Sequence, residues 1–190
     1  MGIRFSEMDL KMLEIERKWL IDPPTSWTNI ANIFQNLIDV KRITQSYLEP
    51  EDGEQAARVR KTVEGLSGDT DTIYHYNQKT PIETGVHKEK EFEISEKEYE
   101  KHLKKADPKK CAVEKTRFVF KWHDQVFELD LFKGHLKGLA ILEIELEDIN
   151  MSVELPPFLK VIKEVTKDKR FNNYSLADKR LKNGNNNNSS

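Results

Sequence analysis

In the stretch LEIERKWLID (13–22), Glu14, Glu16 and Lys18 alternate with Ile15, Arg17 and Trp19. Successive side chains of a strand point to opposite faces, so residues two apart share one. Two carboxylates and an ammonium therefore lie together. The same rule groups Arg58 with Arg60, Glu91 with Glu93, Lys115 with Arg117, Glu128 with Asp130, and Glu143 with Glu145 and Glu147. Opposite them lie Val59, Phe92, Phe118, Leu129, Ile144 and Leu146. A solvated sheet face usually mixes charges, because like charges side by side are mildly unfavourable. Here nearly every pair is of one sign, and both signs occur on different strands. Clustered carboxylates hold divalent cations through oxygen, and clustered Arg and Lys hold phosphate oxygens. A ligand that needs both is a metal-bound polyphosphate.

The elements that must position these groups are mostly strands. Alternation marks 12–21, 40–49, 55–63, 70–79, 88–94, 110–122, 125–132 and 139–147, about eight strands with hairpin-like turns such as PEDGE (50–54) between them. Residues 25–38 carry Trp27, Ile30, Ile33, Phe34, Leu37 and Ile38 at helical spacing, with Thr25 or Ser26 to cap. Ser95 and Glu98 form a capping-box signal for a helix over about 96–105. From about residue 156 the chain reads as helical, in PPFLKVIKEVT and then YSLADKRLK. The expected fold is α+β: an eight-stranded antiparallel barrel, closed around a charged lumen, with helices covering its apolar outer face.

Composition bounds the function. The chain has 190 residues and a formal net charge of −2, and 37% of it is hydrophobic and 34% charged. That suits one domain over 12–182, after an extension at 1–11 and before an Asn-rich tail at 183–190 read as disordered. The mild charge argues against nucleic acid as a partner. Cys111 is alone, which fits a reducing cytoplasm. No apolar run approaches the roughly 18 residues of a membrane span. Met1, Gly2 and Ser6 formally match a myristoylation pattern, too short to carry weight beside Met8 and Met12 as alternative starts. The five histidines, at 75, 87, 102, 123 and 135, show no ligand spacing and read as surface or loop residues. Trp19 is expected outside, under a helix. Tyr47 divides evenly between a substrate contact and ordinary packing, and Tyr174 and Leu176 are expected to seat the C-terminal helix.

E-x-E-x-K at 14–18, RVR (58–60), Lys79 ending a strand, EFE (91–93), EKTR (114–117), FELDLFKGHLKGL (127–139), EIELE (143–147) and VTKDKRFNNYSLA (165–177) follow one another in order. In that order they resemble the CYTH superfamily, the triphosphate tunnel metalloenzymes. Within it the short single-domain form is similar to the small bacterial inorganic triphosphatases. The resemblance implies an eight-stranded antiparallel tunnel and a reaction dependent on Mg²⁺ or Mn²⁺. The substrate it implies is a small-molecule triphosphate, with tripolyphosphate cleaved to diphosphate and phosphate. On that basis Glu14, Glu16, Asp130, Glu143 and Glu145 are expected to hold metal, and Arg58, Arg60, Lys79, Lys115 and Arg117 to grip phosphate. Lys18 would hold a phosphate or balance the carboxylates, Glu91 and Glu93 would orient basic residues or water, and Arg170 would close one tunnel end. Glu89 stands where the family has a basic residue, which Lys88 or Lys90 would have to replace. A class IV adenylyl cyclase, a thiamine triphosphatase and a polyphosphate-binding module remain as alternatives, and a homodimer is admitted.

Overall fold

The computed structural model describes residues 13–50, 57–65, 70–83, 86–148 and 150–184. The side chains at 13, 14, 79, 81–83, 86–89, 183 and 184 lie outside that description. Nine antiparallel strands form one sheet: β1 (Leu13–Ile21), β2 (Leu37–Tyr47), β3 (Ala57–Glu64), β4 (Thr72–Glu83), β5 (Val86–Ile94), β6 (Val113–Trp122), β7 (Gln125–Phe132), β8 (Ala140–Leu146) and β9 (Val161–Glu164). Their order is β5-β4-β3-β2-β6-β7-β8-β1-β9. β1 carries a further short ladder to β5, pairing Leu13 with Lys88 and Ile15 with Val86.

Two helices lie where capping chemistry puts them. Helix α1 (Trp27–Gln35) starts at Ser26, whose hydroxyl accepts from the Asn29 amide at 3.2 Å. Helix α2 (Glu96–Leu103) opens with a full capping box, Ser95 and Glu98 each satisfying the other's backbone amide. Two short C-terminal helices follow, α3 (Asn173–Leu176) and α4 (Lys179–Gly184).

Most apolar side chains lie on the outer face, where the helices cover them. Trp19, Phe120, Phe127, Leu129, Leu142 and Ile144 form the main cluster with Ile33 of α1 and Leu159. Phe34 meets Phe118 edge-on at 6.1 Å. Tyr99 of α2 packs on Ala57 and Val59, with Tyr74 beside it at 4.9 Å. Leu176 and Ala177 of the C-terminal segment pack instead on the inner face, against Tyr47, Val113 and Phe132, which lie opposite Arg58, Gln45 and Lys115. Trp19 is thus buried outside, as expected, and Leu176 seats the C-terminal turn. Tyr47 is buried on the inner face opposite Arg58, its hydroxyl accepting from Gln45 Nε2 at 2.9 Å and its ring set edge-on against Tyr174 at 5.1 Å.

Two expectations are corrected. Residues 161–164 extend along β1 as β9, where a helix was expected, with Trp19 opposite Glu164 and Leu20 opposite Lys163. The four-residue VIKE is too short to decide its period, and β1 offers a free edge to pair with. The helix at 25–38 ends early, because Leu37 already pairs with Phe120 on β6. The PEDGE turn (apart from Pro50), the Met1–Ser6 pattern and the end of the Asn-rich tail lie outside the described residues. Among the described residues no helix is long and apolar enough to cross a membrane.

Phe120 is fully buried between Phe127 and Phe158. Phe120→Ala is expected to lower unfolding stability by about 3–5 kcal/mol, read from urea denaturation.

Candidate functional site

The inner face of the sheet carries the charged groups, and cross-strand register decides which of them meet. Arg117 on β6 lies opposite Asp130 on β7, and Glu128 on β7 lies opposite Glu143 on β8. On β1, Glu16 faces Glu145 and Lys18 faces Glu143. Two pairs of like-charged carboxylates therefore stand side by side, which is stable only if cations come between them.

Arg117 supplies the central one. Its Nε donates to Asp130 Oδ1 at 2.7 Å and its Nη2 to Asp130 Oδ2 at 2.7 Å, a two-pronged grip. Nη2 also donates to Glu143 Oε2 at 2.7 Å, and Nη1 contacts Glu128. Lys115 contacts Asp130 from the other side. Lys18 Nζ lies 2.9 Å from Glu143 Oε1 and 3.1 Å from Glu16 Oε2. Asp130 is wholly removed from solvent, and Glu16, Lys115 and Glu143 are buried. Among the described residues, four carboxylates thus face three cations in one continuous network over β1, β6, β7 and β8.

The charges answer to these neighbours. Burial alone would raise the Glu143 carboxyl, but Lys18, Arg117 and Lys115 outweigh it and hold it well below the usual range. Lys18 is pushed the other way: burial opposes its charge, and Glu143 and Glu16 overcome that and raise it. Lys115 is lowered, by burial first and by Arg117 next, with Asp130 opposing both.

A second group lies on β3, β4 and β5. Arg60 Nη2 donates to both Glu91 oxygens at 2.8 and 2.9 Å, and Asn77 Nδ2 donates to Oε2 of the same carboxylate at 3.1 Å. His75 Nε2 lies 3.8 Å from Glu91 Oε1. Arg58 is half-buried on the same face, opposite Tyr47 and Asn77. Between the two groups, Lys41 on β2 joins Glu64 at 2.8 Å and Asp39 at 3.5 Å.

The structure thus brings Glu16, Lys18, Lys115, Arg117, Asp130 and Glu143 into one network, and Arg60 and Glu91 into another. Glu145 and Glu93 are exposed but share the face. Glu14 and Lys79 lie on β1 and β4, and their side chains, like those of Lys88 and Glu89, lie outside the described residues. Lys90 is exposed. Arg170 is exposed and turned to its own neighbour, bonding Asp168 at 2.9 and 2.6 Å.

Sequence reasoning missed His75, Asn77, Lys41 and Gln45 as inner-face residues. His75 corrects the reading of all five histidines as surface or loop residues. It sits on a strand facing inward, while His123 is exposed. The signal that could have found it was the alternation of His75, Asn77 and Lys79 against Tyr74 and Tyr76.

Among the described residues no three His, Cys, Asp or Glu side chains converge as a ready metal cage. The donor chemistry fits a divalent ion all the same. Glu16 and Glu143 already send one oxygen each to a single cation position, held here by the Lys18 ammonium. Carboxylate oxygens of this kind are hard donors suited to Mg²⁺ or Mn²⁺.

The CYTH domain signature matches residues 12–171. An inorganic triphosphatase of Nitrosomonas europaea is 47% identical over 68 residues, which cover 34% of this chain and 44% of that relative. An inorganic triphosphatase of Acetivibrio thermocellus is 38% identical over 74 residues, covering 39% of this chain and 46% of that relative. The matched stretch thus spans under half the length of each of these two relatives. A crystal structure of an inorganic triphosphatase superposes with a TM-score of 0.55 at 27% identity, covering 93% of this chain and 97% of that one.

The folded value of Glu143 lies below its unfolded value. Its stabilising contribution is therefore complete above about pH 4.3, the ordinary glutamate value, and is lost as pH falls through the folded one. In metal-free buffer, urea stability should drop between about pH 5 and pH 3, and Glu143→Gln should show a shallower drop.

Proposed function

The chain belongs to the CYTH domain family, and from that premise we propose that it hydrolyses a triphosphate, most favourably inorganic tripolyphosphate, to diphosphate and orthophosphate. The observation that carries this reading is the joining of Lys18, Glu16, Glu143, Arg117 and Asp130 into one buried network. A purely phosphate-binding wall needs only the cations. Buried carboxylates beside those cations are what a metal-bound polyphosphate requires.

In this reading the sheet closes into a tunnel through the short β1–β5 ladder, with the charged face as its lumen. Glu16 and Glu143, with Glu14, Glu145 and Asp130, would hold Mg²⁺ or Mn²⁺. Such an ion, when bound, neutralises phosphate oxygens and acidifies a water. Arg58, Arg60, Lys115 and Arg117, with Lys79, would grip the phosphate oxygens, the arginines by their planar forks and the lysines as point charges. Glu91 orients Arg60 by accepting both bonds from its Nη2, and Glu93 stands beside it on the same face. Lys18 balances Glu16 and Glu143 until a divalent ion takes its place.

Water then attacks the terminal phosphorus, and the bridging P–O bond breaks so that diphosphate leaves. Charge spreads over the phosphoryl oxygens in that transition state, and cations already gathered on one wall stabilise it. The substrate, a small anion, would be the partner of the site. Orientation inside a buried wall supplies the remainder of the rate gain by holding the phosphorus in line with the attacking water.

Orthophosphate release should be greatest from tripolyphosphate in a panel with ATP, thiamine triphosphate and long-chain polyphosphate, each with Mg²⁺ and with Mn²⁺. Arg60→Ala and Glu143→Gln should each lower kcat/KM on the order of 10²-fold. Mg²⁺ with tripolyphosphate should also raise the melting temperature, since both bind the folded chain. Cyclic AMP from ATP would move the protein to the cyclases, and binding without turnover would make it a polyphosphate-binding module.

A further inference from the structure

His75 stands in the wall that Arg60 and Glu91 form, and the phosphate-gripping cations alone do not account for it. On β4 it lies opposite Arg60 of β3 on one side and Glu93 of β5 on the other. Its side chain is 20% exposed. Nδ1 is shut off from solvent and has no hydrogen-bond partner among the described residues. Nε2 faces Glu91 Oε1 at 3.8 Å, just beyond hydrogen-bond reach. Among the described residues, the charged groups that face the ring are Arg60, Glu91 and Glu93.

Glu91 is held here by Arg60 and Asn77. Resting on the reading that Arg60 grips a phosphate, the arrival of a triphosphate draws the Arg60 fork off Glu91. That would leave a carboxylate in the wall with only the neutral Asn77 amide, and a partly buried charge that loses its partner is costly. His75 is the side chain already in line to replace the lost cation, and histidine is the group that gains charge near neutral pH.

We propose that His75 is a positioning residue that takes over Glu91 when Arg60 turns to a bound triphosphate. The ring picks up one proton from solvent, Glu91 stays anionic, and an approach of about 1 Å turns the 3.8 Å contact into a charged hydrogen bond. Glu91 then keeps its place in the wall, and Arg60 is released to the phosphate. Binding is thereby linked to proton uptake, so affinity weakens as pH rises, by up to tenfold per pH unit for one linked proton.

The test is titration calorimetry with Mg²⁺ and an imido-bridged analogue of tripolyphosphate, in two buffers of different ionisation enthalpy at about pH 7.5. The analogue's own protonation is common to all variants, so differences isolate the ring. Wild type should take up more protons on binding than His75→Gln, by a fraction of one on the order of a half. His75→Lys, a fixed cation, should bind well with no such excess. In turnover assays the rise of KM with pH should flatten in His75→Gln while kcat moves little. Equal proton counts in wild type and His75→Gln, with binding intact in both, would overturn the inference and leave the triphosphate reading standing. Failure of the analogue to bind either protein would instead overturn the triphosphate reading itself.

Discussion

Asp130 is an aspartate with no solvent contact, and the structure around it follows from keeping that charge tolerable. Burying a lone carboxylate costs several kcal/mol even after relaxation. The answer here is the two-pronged grip of Arg117 with Lys115 behind it. Because Arg117 also reaches Glu128 and Glu143, one guanidinium serves three carboxylates. Its planar fork makes that possible, since a lysine has one nitrogen and no fixed geometry. Glu128 and Glu143 can then stand opposite each other on β7 and β8, and the E-x-E and E-I-E strands can lie against one another.

A charged inner face forces the core outward. With polar groups on one side of the sheet, apolar burial must come from the other, which needs an external cover. Helix α1, helix α2 and the 155–159 segment supply it in two clusters, while the C-terminal turns pack on an apolar end of the inner face. The residues that stabilise the fold and those that do the chemistry therefore alternate along the same strands. Trp19 lies next to Lys18, and Leu129 next to Asp130. A substitution in the outer layer disturbs the site only by moving a strand, while a substitution in the inner layer disturbs charge balance at once. The charged wall is in this sense gathered before any ligand arrives, with its groups held by bonds to one another.

The faces were legible in the sequence because strand periodicity is strict. Alternation alone put Arg58 with Arg60, Glu91 with Glu93 and Lys115 with Arg117 on one side, and the aromatic and branched residues on the other. Both helix starts were legible too, through Ser26 and the Ser95–Glu98 box. Register was not, since it is a relation between distant segments. That Arg117 meets Asp130, or that Lys18 meets Glu143, depends on where β6 slides against β7 and β1 against β8. β9 escaped for a related reason: VIKE extends because β1 offers it an edge. His75 escaped because histidines were judged by ligand spacing, whereas its place is set by strand parity with Asn77.

The same physics joins the resting network to a working one. A network with four carboxylates and three cations is one positive charge short, and its members are held by exchangeable bonds. In the proposed reading, Glu16 and Glu143 would hold a divalent cation where Lys18 now stands, and its charge would settle that deficit. A bound triphosphate would then compete with the carboxylates for the arginines, so each arginine that turned to a phosphate oxygen would leave behind a carboxylate in need of another cation. Among the carboxylates of β1, β7 and β8 the metal can take that part. Glu91 lies on β5, in the other group, and its replacement must come from its own neighbours. Of the described side chains on that face of β3, β4 and β5, Arg58 would go to the phosphate with Arg60, Asn77 is neutral and Glu93 is of the wrong sign. That leaves the His75 ring.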